Sequence, residues 1–312
     1  MESFAGYSFN KAHSASFAVE SYQSLFLKTY YPLEFMVSVL NNYGGFYNRK
    51  VYVNEAKTAG ATICLPCVNN SLFNTTILDK DIYLGFDCLQ NLEGKLAALI
   101  PEERKRNGAY TGIENFVLRT GASIEQLVIL IRVGAFRFLG IGKKELLWET
   151  HLLLSGNKID KNAQVLFESI SKKPQLPKLE HSSLEDYYDE IELIGFAVSG
   201  NLFDLARSEY RGDCKAIDLV KHEGKVIRIV GDFVAEKTVK TKRGDYMKFG
   251  TFFDVDGSFF DSVHFPQSLQ QYPLRGAGVY LLEGKVVMEF GCPSLEIIKC
   301  GRMPLKADPR AQ

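Results

Sequence analysis

The feature that most constrains the fold is a change in hydrophobic spacing near Lys225. Before this residue apolar side chains recur at helical intervals, and after it they alternate along short extended runs. The predicted strands begin at Val226 and at about 247, 259, 279 and 295, with a short helix at 267–272. Five short strands with a helix after the third predict a small Greek-key barrel of the OB type, which commonly binds single-stranded nucleic acid or oligosaccharide.

The first third of the chain has helical spacing. Residues 14–27 predict a helix with one buried apolar stripe and with Ser14 as its N-cap. A second helix is expected to start at Pro32, and a third to cover 48–59 and stop at Gly60. The predicted stripe of the first helix consists of Ala15, Ala18, Val19, Tyr22, Leu25 and Phe26.

Glycine and proline residues recur through the middle of the chain and divide it into short segments. Residues 61–86 predict turns and extended pieces, with a short strand at 82–84, and residues 89–150 turn helical again. Ser123 and Gln126 have the spacing of a capping box. Residues 152–182 predict a linker with one apolar patch, and 183–210 predict a further helix near the cap residue Ser183.

Composition limits the class of protein. The 312 residues suffice for two or three domains, and the 37 basic and 37 acidic residues cancel. Any contact with nucleic acid must therefore come from local basic patches. The start of the chain does not resemble a signal peptide, and no apolar run has the length of a membrane span, so a cytoplasmic protein is expected.

The six cysteines are scattered. Cys64 and Cys67 have CxxC spacing, but no second pair of ligands follows them, and a structural zinc site normally needs four. Reduced thiols are therefore the expected state, and no metal site is expected in this chain.

Three motifs near the start of the chain carry a family resemblance. They are Tyr7-Ser-Phe-Asn-Lys-Ala-His-Ser-Ala-Ser16, Tyr22-Gln23 and Tyr31-Pro-Leu-Glu-Phe-Met36. Together they resemble the late fingers segment of the bacterial DNA polymerase III alpha family. The resemblance continues in family order through most of the chain, at Asn54–Ala56, Ile63–Pro66, Gly85-Phe86, Arg132–Phe136, Leu139-Gly140, Ile194–Gly200, Thr241–Gly244 and Phe265-Pro266.

Two departures from the family qualify what the resemblance implies. The first hairpin of its helix-hairpin-helix has a glycine-x-glycine turn, whereas residues 89–94 here keep only Gly94 and add the negative charge of Glu93. The family's catalytic carboxylates, which hold Mg²⁺, lie in a palm domain upstream of the first motif. These carboxylates have no counterpart in this sequence, so no catalytic residue or cofactor is expected in the chain.

The resulting expectation is an α+β, multidomain chain. A distal fingers segment (1–80) is followed by a degenerate helix-hairpin-helix region (81–151), a linker (152–182), a helical connector (183–224) and an OB-fold domain (225–305).

The first candidate site is the fingers motif. Lys11 could neutralise a triphosphate, Asn10 and His13 could hydrogen-bond sugar or phosphate, and Tyr7 could stack on a base. Without the resemblance, His13 and Asn10 would be taken as helix caps and Lys11 as a solvated side chain. The resemblance favours a role in binding the incoming nucleotide.

The second candidate site is a basic cluster on the first barrel hairpin. Its cations are Lys237, Lys240, Lys242, Arg243 and Lys248. Phe249, Phe252, Phe259 and Phe260 are interleaved with them, and half of these rings are expected to fill the barrel. Cations follow phosphates and aromatic faces stack on bases, so this cluster predicts a site for single-stranded template DNA. Lys143 and Lys144, at a helix start after Gly142, are a weaker candidate for a backbone phosphate.

The third candidate site lies in the linker. Family members carry a short peptide there that binds the ring-shaped sliding clamp, and Gln164, Leu166 and Phe167 resemble it imperfectly because Gln164 is one place late. An extended linker can insert such an apolar pair into a groove. The alternative is a helix turn that packs on its own domain.

The resemblance implies a DNA- and clamp-engaging part of a replicative DNA polymerase. The chain is then either a separate polypeptide that assembles with a palm-bearing partner or a fragment of a longer chain. Its expected partners are primed and single-stranded DNA, the sliding clamp and a palm-bearing polypeptide, and the chain alone is expected to be inactive in nucleotidyl transfer. The alternative is a stand-alone single-stranded nucleic-acid-binding OB module with no role in a polymerase.

Overall fold

The computed structural model describes residues 11–43, 45–155, 179–289 and 291–311. Two of the candidate nucleotide-binding residues, Tyr7 and Asn10, fall outside these ranges. So do all three residues of the candidate clamp peptide, Gln164, Leu166 and Phe167.

Three helices open the described chain: α1 (Lys11–Tyr30), α2 (Pro32–Asn41) and α3 (Arg49–Thr58). Pro32 occupies the first position of α2, as predicted, where its missing N–H is not needed. Asn48 caps α3 by accepting a 3.1 Å hydrogen bond from the Lys50 amide. The prediction that Ser14 caps the first helix is wrong, because the helix is already formed at Lys11.

The predicted buried stripe of α1 is also wrong. The described side chains of α1 are exposed except for that of Ser14, and Tyr22 and Leu25 retain 70% and 65% of their accessible surface. By contrast, α2 buries Met36, Val37 and Leu40. Helical spacing correctly indicated a helix at α1, but the surface that would cover its apolar side chains is not part of the described structure.

A small three-stranded sheet follows. Its strands are β1 (Thr62–Cys64), β2 (Thr76–Leu78) and β3 (Asp81–Tyr83), in the order β1-β3-β2. The β1–β3 pair is parallel and the β2–β3 pair antiparallel. Ile82, at the centre of the sheet, is fully buried against Met36 and Ala56 and so joins the sheet to α2 and α3.

The helix-hairpin-helix region forms the largest core. Its helices are α4 (Gly94–Asn107), α5 (Ile113–Thr120), α6 (Ile124–Arg132) and α7 (Lys143–Ser155), with 3₁₀ turns at Phe86–Cys88 and Arg137–Leu139. Phe116 and Phe136 meet edge to face with ring centroids 5.1 Å apart, inside a shell of leucine and isoleucine side chains.

The capping box predicted at Ser123 does not form. Ser123 is the N-cap of α6, but its side chain makes no capping hydrogen bond. The side chain of Gln126 turns to the first hairpin instead, where it accepts a 2.7 Å bond from the Glu93 amide and donates a 3.2 Å bond to the carbonyl of Asn91. Gln126 therefore holds the glycine-poor hairpin in place.

Helix α8 (Ser183–Ile194) follows the linker region and ends at Gly195, which adopts the left-handed conformation. The helix is shorter than the predicted 183–210. The segment after it contains 3₁₀ turns at Leu202–Leu205 and Ala216–His222. Asp189 of α8 is buried and accepts hydrogen bonds from Arg132 (2.7 Å) and Arg310 (2.6 Å). These pairs join α6, α8 and the C-terminal segment.

The C-terminal domain is the predicted five-stranded barrel. Its strands are β4 (Val226–Lys240), β5 (Tyr246–Phe253), β6 (Phe259–His264), β7 (Val279–Glu289) and β8 (Cys292–Arg302), with α9 (Pro266–Gln271) after the third. The order is β4-β5-β6-β8-β7, β7 pairs back with β4, and β6 pairs with β8 in parallel. This is the Greek-key closure of an OB fold.

Helix α3 attaches to the barrel through polar contacts. The Lys50 ammonium lies 2.5 Å from the Asp232 carboxylate on β4. Asn54 donates a 2.9 Å bond to the carbonyl of Gly257 in the β5–β6 turn. A Cβ on Gly257 would lie 2.5 Å from the Asn54 side chain, and its φ is +79°, so this close approach requires glycine.

Candidate nucleic-acid interface

The β4–β5 hairpin presents most of the predicted cations. Its turn is closed by a 2.8 Å bond from the Thr241 amide to the carbonyl of Asp245, and Gly244 supplies the positive φ that the turn needs. Lys242 and Arg243, at its tip, are both exposed. Within the described structure neither has an ion-pair partner, so both charges are available to phosphates.

The strand alternation divides the four phenylalanines into two pairs. Phe252 and Phe260 lie in the barrel core and stack with centroids 5.5 Å apart. Phe249 and Phe259 point outward, each with 42% of its surface exposed. Half of the rings therefore fill the barrel, and the other half remain available for stacking.

Cation and ring are neighbours on both sides of the hairpin. Lys237 of β4 pairs directly with Phe249 of β5, and both side chains leave the outer side of the sheet. Lys240 pairs with Tyr246 three residues further along the hairpin, so this pair leaves the opposite side, and the Lys240 ammonium lies 5.5 Å from the centroid of the Tyr246 ring. Each pair can hold a phosphate beside a stacked base.

Tyr246 was missed in the sequence analysis. It is 58% exposed and lies beside the cationic turn, on the side of the hairpin opposite Phe249. Its position in the sequence could have indicated it, because it directly follows the turn that carries Lys242 and Arg243. A side chain so close to an exposed turn is not expected to reach the barrel core.

Lys248 differs from the other cations of the cluster. It pairs across the sheet with His264 and therefore faces inward. Its ammonium lies 2.6 Å from a Glu236 carboxylate oxygen and 3.1 Å from the carbonyl of Leu274. The structure thus engages this charge within the protein, away from the outer face.

Lys143 and Lys144 are likewise paired. They open α7, and their ammonium groups contact carboxylates of α8: Lys143 with Asp186, and Lys144 with Glu185 at 2.9 Å. Lys144 also donates to the carbonyl of Glu180. These contacts fix α7 against α8 and compete with phosphate for both lysines.

Two residues of the candidate nucleotide site lie within the described part of the chain. Lys11 begins α1, and His13 is exposed one turn before Phe17, with the two rings edge to face at 4.5 Å. His13 is therefore available to a ligand from the surface of α1.

His264 is a buried imidazole at one end of the barrel interior. Its Nε2 lies 3.0 Å from the Ser262 hydroxyl, and no residue in the described part of the chain hydrogen-bonds its Nδ1. Burial, with the nearby charge of Lys248, lowers the pKa of His264 to about 4. The ring is therefore neutral near pH 7.

The CxxC pair does not have the properties of a redox or zinc site. Burial raises the pKa of the Cys64 thiol, which disfavours the thiolate that such chemistry needs. Among the residues that the structure describes, no group of three or more histidine, cysteine or acidic side chains is placed to hold a metal ion. In the same part of the chain, no helix is long and apolar enough to span a membrane.

Comparison with known families identifies the central region. The helix-hairpin-helix motif family matches residues 60–146, which contain the small sheet and helices α4 to α6. The barrel is similar to a putative nucleic acid-binding lipoprotein from Klebsiella pneumoniae (17% identity, TM-score 0.22, 27% of this chain and 78% of that chain). It is also similar to the second OB-fold domain of replication protein A from Methanococcus maripaludis (12% identity, TM-score 0.21, 27% of this chain and 90% of that chain).

The fold and the interface therefore define the class: a helix-hairpin-helix region joined to an OB-fold barrel with a cationic, aromatic outer face. Comparison with curated proteins then indicates the family. The chain is 29% identical to the DNA polymerase III subunit alpha of Borreliella burgdorferi over 307 residues, 92% of this chain and 26% of that protein. It is 31% identical to the same subunit of Treponema pallidum over 284 residues, which cover 84% of this chain and 24% of that protein.

The subunit of Escherichia coli K12 is 28% identical over 309 residues, 92% of this chain and 26% of that protein. The resemblance to the DNA polymerase III alpha family is thereby confirmed. The chain spans about a quarter of the length of the curated relatives it matches.

Proposed function

We propose that this chain is a DNA-engaging portion of a bacterial replicative DNA polymerase, acting in the cytoplasm. Its barrel holds single-stranded template on the outer face of β4 and β5, and it acts together with a palm, on a partner polypeptide or on the same longer chain, that carries out nucleotidyl transfer. The observation that carries this proposal is the cross-strand pairing of Lys237 with the exposed ring of Phe249, on a hairpin whose turn carries Lys242 and Arg243, which suits a strand with accessible bases.

The exposed surface of α1 supports the proposed partner. Large apolar side chains point to solvent on several sides of this helix, among them Phe17, Tyr22 and Leu25. An apolar helical surface of this extent is normally covered by protein. We assign it to contact with the palm-bearing polypeptide, where Lys11 and His13 would face the incoming nucleotide.

Clamp engagement is the remaining part of the proposal. It rests on the sequence of the linker peptide, with Leu166 and Phe167 as the apolar pair that enters a groove on the sliding clamp. Replacing both residues with alanine is expected to abolish capture of the chain by an immobilised clamp.

The test of the DNA site compares two triple variants with the same change in net charge. Lys240→Ala/Lys242→Ala/Arg243→Ala removes the hairpin cations. Lys221→Ala/Lys225→Ala/Lys285→Ala removes three exposed lysines near the opposite end of β4.

Binding of fluorescent oligothymidylate is measured at a series of salt concentrations. If each hairpin cation neutralises one phosphate, the slope of log K against log salt falls by about 2 in the hairpin variant, because a single-stranded phosphate contact contributes about 0.7. The control variant is expected to keep the slope of the unmodified chain. Equal loss in the two variants would show that binding depends on overall charge, and the outer face would then not be the site.

A further inference from the structure

A second group of exposed rings lies where the helical part meets the barrel. Phe46 and Tyr47, in the α2–α3 connection, are 86% and 40% exposed, and their centroids are 5.2 Å apart. Tyr47 lies 6.4 Å from Phe259 of the barrel. Phe46, Tyr47 and Phe259 are called the junction rings below.

The junction rings are held together by the docking of α3. The Lys50–Asp232 ion pair and the Asn54–Gly257 hydrogen bond connect the first two turns of this helix to the barrel. Both groups lie within a few residues of Tyr47 along the chain. The position of Tyr47 beside Phe259 is therefore set by partly buried polar contacts as well as by the loop.

The junction rings continue the outer face of the barrel. Phe259 pairs with Phe253 at one end of β5, and Phe249 leaves the same side of this strand four residues earlier. Four residue steps are about 14 Å along a strand. Exposed rings therefore recur on the outer face between the β4–β5 hairpin and the junction.

Charge changes along this face in a way that points to one ligand. Among the described residues, Lys242 and Arg243 of the turn have no ion-pair partner, whereas two cations near the junction are neutralised: Lys50 by Asp232, and Arg49 by Asp87 at 3.1 Å. A surface of rings without free charge has little attraction for duplex phosphates but suits the faces of unpaired bases.

We infer that the junction rings stack unpaired bases of a single DNA strand that is held by its phosphates at the β4–β5 turn. This inference deepens the proposed DNA-binding function and rests on it. It extends the binding surface from the barrel onto the helical part, so that one strand contacts both.

The experiment uses oligonucleotides of two lengths to distinguish binding at the turn alone from binding that also reaches the junction rings. Oligothymidylates of about 4 and about 16 nucleotides bracket the site sizes of OB folds. Phe46→Ala/Tyr47→Ala is expected to weaken binding of the long oligonucleotide about 5- to 100-fold and to change binding of the short one less than about twofold. Phe46→Tyr/Tyr47→Phe, which keeps both rings, should bind like the unmodified chain.

The matched control removes one phenylalanine and one tyrosine elsewhere. Tyr22→Ala/Phe26→Ala on α1 deletes exposed rings away from the barrel and is expected to leave both affinities unchanged. Abasic sites at one end of the long oligonucleotide should weaken binding to the unmodified chain and have no further effect on the junction variant.

Each contrary outcome has a distinct meaning. Unchanged affinity of the junction variant for the long ligand overturns the inference, while the proposed function stands if the hairpin variant still loses binding. Equal loss for both lengths also overturns it, because the rings would then act through the barrel structure. If neither variant loses affinity, both proposals fail. Self-association of the unmodified chain that the junction variant abolishes, without loss of DNA affinity, would assign the rings to a second copy.

Discussion

At the scale of single residues, alternation along a strand decides which side chains can meet DNA. Lys237 and Lys248 belong to the same basic cluster in sequence, yet one is exposed beside Phe249 and the other points inward to Glu236. The sequence shows the alternation but not where the barrel closes. Spacing alone therefore could not separate a phosphate ligand from an internal ion pair.

His264 gives a residue-scale prediction for stability. Its folded pKa of about 4 lies below the ordinary value of 6.5, so the unfolded chain binds a proton that the folded chain excludes. The free energy of unfolding is therefore unaffected by this group above pH 6.5. It falls as the pH is lowered toward 4, by about 3 kcal/mol in total.

Hydrogen exchange of the β6 amides, corrected for intrinsic rates, measures this loss between pH 7 and pH 4. His264→Gln is expected to flatten the dependence in that window, whereas His222→Gln, outside the barrel core, should retain it. A pH dependence that survives in the His264 variant would show that other groups cause the acid loss.

At the scale of elements, helix α1 and helix α2 both carry large apolar side chains but have different environments. Met36 of α2 is 4% exposed, whereas Tyr22 and Leu25 of α1 point to solvent. Periodicity predicts that a helix has a face to bury, but it does not identify the surface that covers the face. This is why the buried stripe of α1 was predicted wrongly although the helix was predicted correctly.

The exposure of α1 leads to a quantitative expectation. Val19→Gln, Tyr22→Gln and Leu25→Gln should each change the free energy of unfolding by no more than about 0.5 kcal/mol, because no packing is lost. Met36→Gln, which buries a polar group in the core, should cost at least about 2 kcal/mol. Urea denaturation followed by circular dichroism measures both. A loss above 1 kcal/mol at each α1 site would mean that the helix is packed in the free protein.

At the scale of the whole molecule, polar contacts join the barrel to the helical part. Arg132 and Arg310 bind Asp189 of α8, and Lys50 binds Asp232 of the barrel, so polar contacts join elements far apart in sequence. A buried ion pair of this kind fixes geometry more than it adds stability, since desolvation offsets most of its attraction.

The whole-molecule prediction concerns catalysis. The purified chain, with primed template, deoxynucleoside triphosphates and Mg²⁺, is expected to show no primer extension, because two-metal transfer needs paired carboxylates at the primer end. A denaturing gel of labelled primer measures this. Extension that persists after repeated purification, with a no-protein control for contamination of the reagents, would show that the chain carries its own catalytic site.

The sequence by itself determined the order and type of the elements. The period-two pattern after Lys225 predicted the barrel, and the motifs from Tyr7 to Met36 indicated the family. These signals are local, so neighbours along the chain suffice to read them. Tertiary structure decided which rings stay outside, which lysines are paired and that Tyr47 meets Phe259. Those outcomes depend on contacts between residues far apart in the chain, where barrel closure and the docking of α3 fix what each side chain faces.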